Sequence, residues 1–153
     1  MGILTKTHLP LVSATAFNVA PGAAIAAGSG VYGTLSNAGA SDWIKGDAMP
    51  KGRKLLVIVN TGAVATSPTA LKVSLSGSAT DSSGTSGAEI ASTVTEWANP
   101  AGDTVYTTEI DLAAVSDLTK YYSLTLGVNG ASSSSTVVAD ATALVLDPYQ
   151  TTT

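Results

Sequence analysis

Glu109 and Asp111 stand two residues apart in a stretch of alternating polar and apolar side chains, so on an extended strand both carboxylates project to one face. Two neighbouring carboxylates are the minimal equipment for general acid–base chemistry of the kind that cleaves glycosidic bonds. That chemistry also needs a cleft, and a sugar site needs aromatic platforms. The chain has eight aromatic residues, Phe17, Trp43, Trp97 and five tyrosines, to serve core and surface together. A solvated strand face explains the carboxylate pair more simply. His8 is the only histidine and cysteine is absent, which removes thiolate nucleophiles, Cys/His zinc sites and iron–sulfur ligation. No Gly-x-Ser-x-Gly sequence occurs, so His8 has no nucleophile elbow to serve. Asp81 sits among hydroxyl residues in the low-complexity segment 77–87. One carboxylate without the acidic spacing of a calcium loop reads as part of a long solvated hairpin loop. An enzyme is not expected, and neither a metal nor any other cofactor is expected.

The remaining charged and aromatic residues point to contact rather than chemistry. Lys51, Arg53 and Lys54 surround Gly52, with Lys45 six residues before Lys51, and form the one dense basic patch in a chain of net charge −4. Such a patch could dock an acidic protein surface. Equally, it could keep the apolar run that follows it in solution, as charged gatekeepers do. Seven basic residues against eleven acidic ones give a field that opposes a nucleic acid partner. Trp43 and Trp97 lie in turn-like contexts; each either caps the core or anchors a subunit contact, where tryptophan is enriched. With Tyr121 they could instead form stacking platforms for a carbohydrate. The candidate contact residues are therefore Lys51, Arg53, Lys54, Trp43 and Trp97, together with Tyr149 near the C-terminus.

A β-rich fold must position these residues. More than half of the 153 residues are Ala, Gly, Ser or Thr, and charged residues make up only 12%, a composition unsuited to long charge-laced helices. Hydrophobic residues still make up 44%, enough for the core of one domain. From Gly52 onward, runs rich in Val, Ile, Leu, Thr and Tyr are separated by turn-forming clusters, the pattern of a sandwich or barrel. The continuous run Leu55, Leu56, Val57, Ile58, Val59 predicts a central strand covered on both faces. Over 69–76, Leu71, Val73 and Leu75 alternate with Lys72, Ser74 and Ser76, which predicts a half-buried strand. Further strands are expected over 88–95, 104–112, 121–128 and 136–146, the last two joined as a hairpin after Asn129-Gly130. On the last, Val137, Ala139, Ala141, Ala143 and Val145 share one face and Asp140 takes the other. Residues 112–118 are the one plausible helical turn. Weaker extended segments near 14–19 and 31–35 bring the count to about eight strands. The expected fold is all-β, an antiparallel β-sandwich of jelly-roll type.

Residues 1–30 read as an extended N-terminal arm, residues 31–147 as the sandwich, and residues 148–153 as a polar C-terminal tail. An arm of small residues needs something to hold it, either its own domain or a neighbouring subunit. The apolar stretch 9–27 is broken by Pro10, Ser13, Asn18, Pro21 and Gly22, a poor fit to a secretory leader. No run approaches the roughly 20 apolar residues of a membrane span, and no membrane partner is expected.

One resemblance adds to this reading. Residues 120–130, beginning Lys120-Tyr121-Tyr122 and ending Asn129-Gly130, then a Ser/Thr turn and the strand 136–147, resemble the terminal strands of jelly-roll cement (head decoration) proteins of tailed bacteriophages. The likeness extends more loosely through 42–46, 52–61 and 69–77, and so covers residues 40–147. Lys120-Tyr121 stands where an arginine–aromatic pair would be expected, and the first 30 residues match nothing in the family. The resemblance implies a homotrimer on the outside of the phage head. Its partner would be the major capsid protein, its location the virion after assembly in the host cytoplasm, and it would carry no cofactor.

Overall fold

The structure is a computed structural model, and it describes residues 16–19, 23–32, 34–35, 44–45, 54–78, 88–111 and 121–146. In chain order the strands are β1 (Ala16–Val19), β2 (Ile25–Ala26), β3 (Gly30–Tyr32), β4 (Thr34–Leu35), β5 (Ile44–Lys45) and β6 (Lys54–Ala65). They continue with β7 (Ala70–Ser78), β8 (Ala88–Glu89), β9 (Thr95–Ala98), β10 (Val105–Asp111), β11 (Tyr121–Asn129) and β12 (Thr136–Leu146), with one 3-10 turn at Ala91–Thr93. One sheet runs β10-β6-β12-β1-β4 with β2 also on β12; the other runs β3-β11-β7-β8 with β5 on β11 and β9 on β7. Every pairing is antiparallel.

The principal strands therefore lie in the orders β1-β12-β6-β10 and β3-β11-β7-β9. Most connections pass from one sheet to the other, and the first strand lies beside the last. That is the pair of interlocked Greek keys of an eight-stranded jelly roll.

Alternation fixes which side chains meet between the sheets. β6 buries Leu55, Val57 and Val59, and β12 buries Val137, Ala139, Ala141 and Ala143. The facing sheet supplies Leu71, Val73 and Leu75 from β7 and Leu124, Leu126 and Val128 from β11. These residues, with Ile25 and Ile110, form one cluster. Its large side chains come mostly from one sheet and its smallest from the other, an interdigitation that lets the layers approach closely. At one open side β9 meets β10 across the gap. There the Trp97 and Tyr106 rings lie 5.2 Å apart, tilted by 38°, and the Thr95 and Thr108 hydroxyls share a hydrogen bond of 2.9 Å.

The structure corrects several expectations. Strands 121–129 and 136–146 do not form a hairpin, because β11 and β12 belong to opposite sheets. Each has a fully apolar inner face, and the two faces bury more surface across the core than they would side by side. Ser135 secures the crossover: its hydroxyl donates to the Thr66 carbonyl at 2.8 Å.

The segment 88–95 is not one strand. The Thr93 hydroxyl accepts the Leu75 amide at 2.9 Å and donates to the Ile90 carbonyl at 2.7 Å, and this buried side chain stands in for a stretch of backbone ladder. Sheet pairing also begins before residue 31. β1, within the segment read as an arm, pairs with both β12 and β4, and β2 pairs with β12. The expected helical turn at 112–118 and the tail at 148–153 lie outside the described residues, as do residues 79–87. The strands flanking that last segment, β7 and β8, pair antiparallel as a hairpin requires.

Candidate contact surface

Of the six residues expected to make contacts, Lys54 and Trp97 are described. Lys51, Arg53, Trp43 and Tyr149 lie outside the described residues. Lys54 opens β6 at the edge of the core, and its ammonium donates to the Glu109 carboxylate of β10 at 2.9 Å, with both side chains about half exposed. The basic patch is thus tied at this end to the acidic face of the neighbouring strand. An exposed pair of this kind contributes little to stability.

Glu109 and Asp111 do project to one face, as their spacing requires, and both are exposed. That face is the outside of a sheet, where Glu109 is paired with a lysine. Trp97 is half-buried against the core cluster and the Tyr106 ring. Its indole caps the sandwich edge and does not stand out as a free stacking plane. Among the described residues no group of three or more His, Asp or Glu side chains is placed to hold a metal ion. No helix among them is long and apolar enough to cross a membrane.

Two features escaped the sequence reading. The first is the outer face of the β10-β6-β12 sheet. Leu56 and Ile58 point away from the core and are half-buried, in register with Glu109 and Leu144, and with Thr107 and Thr142. Leu56, Ile58 and Leu144 make an apolar strip across the sheet's middle. Towards one end of the same face stand Val105, 62% exposed, and Val138, 37% exposed and packed over Gly62. The doubly apolar run 55–59 was the available signal. It correctly marks a central strand, but its outer side is only partly covered.

The second feature lies on the outside of the other sheet. Lys72, Ser74 and Ser76 alternate with the core residues as expected, yet Ser74 and Ser76 are buried and not solvated. The Ser76 and Thr125 hydroxyls bond at 2.8 Å, the Ser74 hydroxyl donates to Glu89 at 3.1 Å, and the Lys72 ammonium bridges to Glu89 at 2.9 Å. Nothing in an alternating Lys-x-Ser-x-Ser pattern announces which partner will lie over it.

The Glu89 carboxyl is held below its ordinary value of 4.5, chiefly by the hydrogen bond from Lys72 with help from Ser74, against a partial burial that pushes it up. Because the folded value lies below the unfolded one, the ionised carboxylate favours the fold above pH 4.5. That contribution disappears as the pH falls through the folded value. Glu89→Gln is therefore expected to flatten part of the acid limb of a stability–pH curve below pH 4.5 and to leave stability near neutrality within about 1 kcal/mol of the parent. Thermal melts of both proteins across that range make the comparison; an unchanged acid limb would remove Glu89 from the account.

Searches with protein-family models, curated proteins and solved structures gave no match to this chain, so the functional reading rests on its own residues and fold.

Proposed function

We propose that this chain is a structural virion protein, a capsid cement or head decoration protein. In this reading it binds the outside of a tailed-phage head as a homotrimer and clamps adjacent major capsid subunits. The observation that supports it is the jelly-roll strand order, β1-β12-β6-β10 over β3-β11-β7-β9, the fold expected from the likeness over residues 40–147. A second support is physical. Val105 and Val138 are the exposed large hydrophobic residues among those described, and they stand on one sheet face, a small contact patch on an otherwise polar surface. A glue needs area and not chemistry. Three linked copies convert weak contacts into tight attachment, because the second and third contacts are effectively intramolecular. A stable interface of this class buries on the order of 1,600 Å² in total.

The test is direct. Native mass measurement of the purified chain is expected to give a trimer, and the trimer is expected to bind expanded capsids stripped of decoration. Reversing charge at Lys51 and Arg53 is expected to weaken that binding, with the larger loss at low salt, where the attraction is least screened. A monomer that does not bind such capsids would overturn the proposal. Loss of binding in the charge-reversed protein that is the same at every salt concentration would remove the basic patch from the interface.

A further inference from the structure

We infer that residues 3–12 of the same chain lie across the outer face of the β10-β6-β12 sheet and cover the strip made by Leu56, Ile58 and Leu144. Position is the first argument. The described chain begins at Ala16, which sits in register with Leu144 on β12, and β12 is in turn the neighbour of β6. Residue 16 is therefore two strand spacings, about 10 Å, from the middle of the strip. Ten extended residues span roughly 33 Å, ample to cross three strands.

Composition is the second argument. Ile3, Leu4, Leu9, Leu11 and Val12 supply apolar side chains for an apolar strip. Pro10 lacks an amide proton and suits a segment laid over a sheet face better than one added to its ladder.

Charge is the third. Residues 1–15 carry Lys6 and His8 and no carboxylate. The outward rows of the three strands carry Glu109, Asp111 and Asp140 against the single Lys54. A second copy of this acidic face would meet like charge, whereas the segment meets opposite charge. The short tether also gives the cis contact a high effective concentration.

The absence of native cysteine makes the test clean. A single Ile58→Cys substitution in the full chain reports whether the strip is covered, through its rate of reaction with an uncharged maleimide in dilute solution. Val105→Cys, on the same face but beyond the strip, serves as the exposed reference. Adding Leu9→Asp and Leu11→Asp is expected to raise the Ile58→Cys rate at least tenfold and to leave the Val105→Cys rate unchanged. Lys6→Glu, which leaves the apolar residues in place, is expected to raise it several-fold at low salt only. Equal Ile58→Cys rates with and without the aspartates would overturn the inference. So would protection that is lost on dilution, which would assign the cover to a neighbouring copy. No capsid enters the experiment, so its failure leaves the proposal of a capsid protein standing and the reverse also holds.

Discussion

Leu124→Ala is expected to lower the unfolding free energy by about 2–5 kcal/mol, the range for truncating a large aliphatic side chain in a close-packed interior. Leu124 is fully buried in the middle of β11, in register with Leu75 on β7. Opposite this leucine-rich layer, β12 presents Ala139, Ala141 and Ala143. Alanine has no longer side chain that can swing into the space a missing isobutyl group leaves, and the strands behind are held by ladders on both sides. Little relaxation is available, which places the cost in the upper part of the range. Denaturant titration should show a lower midpoint with an unchanged slope, the signature of a stability change without a change in the folded surface. Val105→Ala, at a side chain 62% exposed, should stay within about 0.5 kcal/mol of the parent. A loss below about 1 kcal/mol at Leu124 would mean that the two layers do not interdigitate as described.

The same core shows what the sequence carried and what it did not. Strand identity was legible because a two-residue repeat leaves its mark on side-chain polarity. Leu71, Val73 and Leu75 are inside, and so are Leu124, Leu126 and Val128, as their spacing required. β12 matches its expected bounds, with Asp140 exposed and the alanines buried. Partner choice was much less legible, since alternation says which face is inside and nothing about which strand lies alongside. The β11–β12 connection looked like a hairpin turn, and it is a crossover, because short range in sequence does not outweigh two apolar faces that can bury each other.

Cover on an outward face was the least legible of all. Ser74 and Ser76 read as solvated and are buried, while Leu56 and Ile58 read as buried and are only half covered. In each case the deciding residue is remote in the sequence, such as Glu89 over Ser74 or Thr125 beside Ser76. The carboxylate pair is the converse case: spacing placed Glu109 and Asp111 on one face, and the ion pair of Glu109 with Lys54 followed from a register that alternation cannot supply.

Thr61→Val is expected to cost about 1–3 kcal/mol although it preserves the shape of the side chain, because it strands buried polar groups. Thr61 occupies the inward row of β6 that begins Leu55, Val57, Val59, and it is 6% exposed. Its hydroxyl donates to the Ala101 carbonyl at 2.7 Å and accepts the Thr104 amide at 3.1 Å, while its own amide donates to the Thr104 carbonyl at 2.9 Å. One side chain thus clamps the connection between β9 and β10. That connection holds two non-glycine residues in the left-handed region, Asn99 at φ 49° and Asp103 at φ 51°, each a conformation that costs free energy unless its surroundings fix it. The loop also packs closely: a Cβ at Gly102 would lie 2.8 Å from the Gly62 carbonyl oxygen of β6. A valine keeps the bulk and removes both hydroxyl bonds, so the loop should loosen before the sheets do. Hydrogen exchange at the Thr104 amide should rise more than global unfolding accounts for, while amides in the middle of β11 follow the global change alone. Thr61→Ser restores the hydroxyl without the methyl and should recover most of the loss. Valine and serine variants of equal stability, with equal exchange at Thr104, would show that the clamp is the methyl group's packing and not the hydrogen bonds.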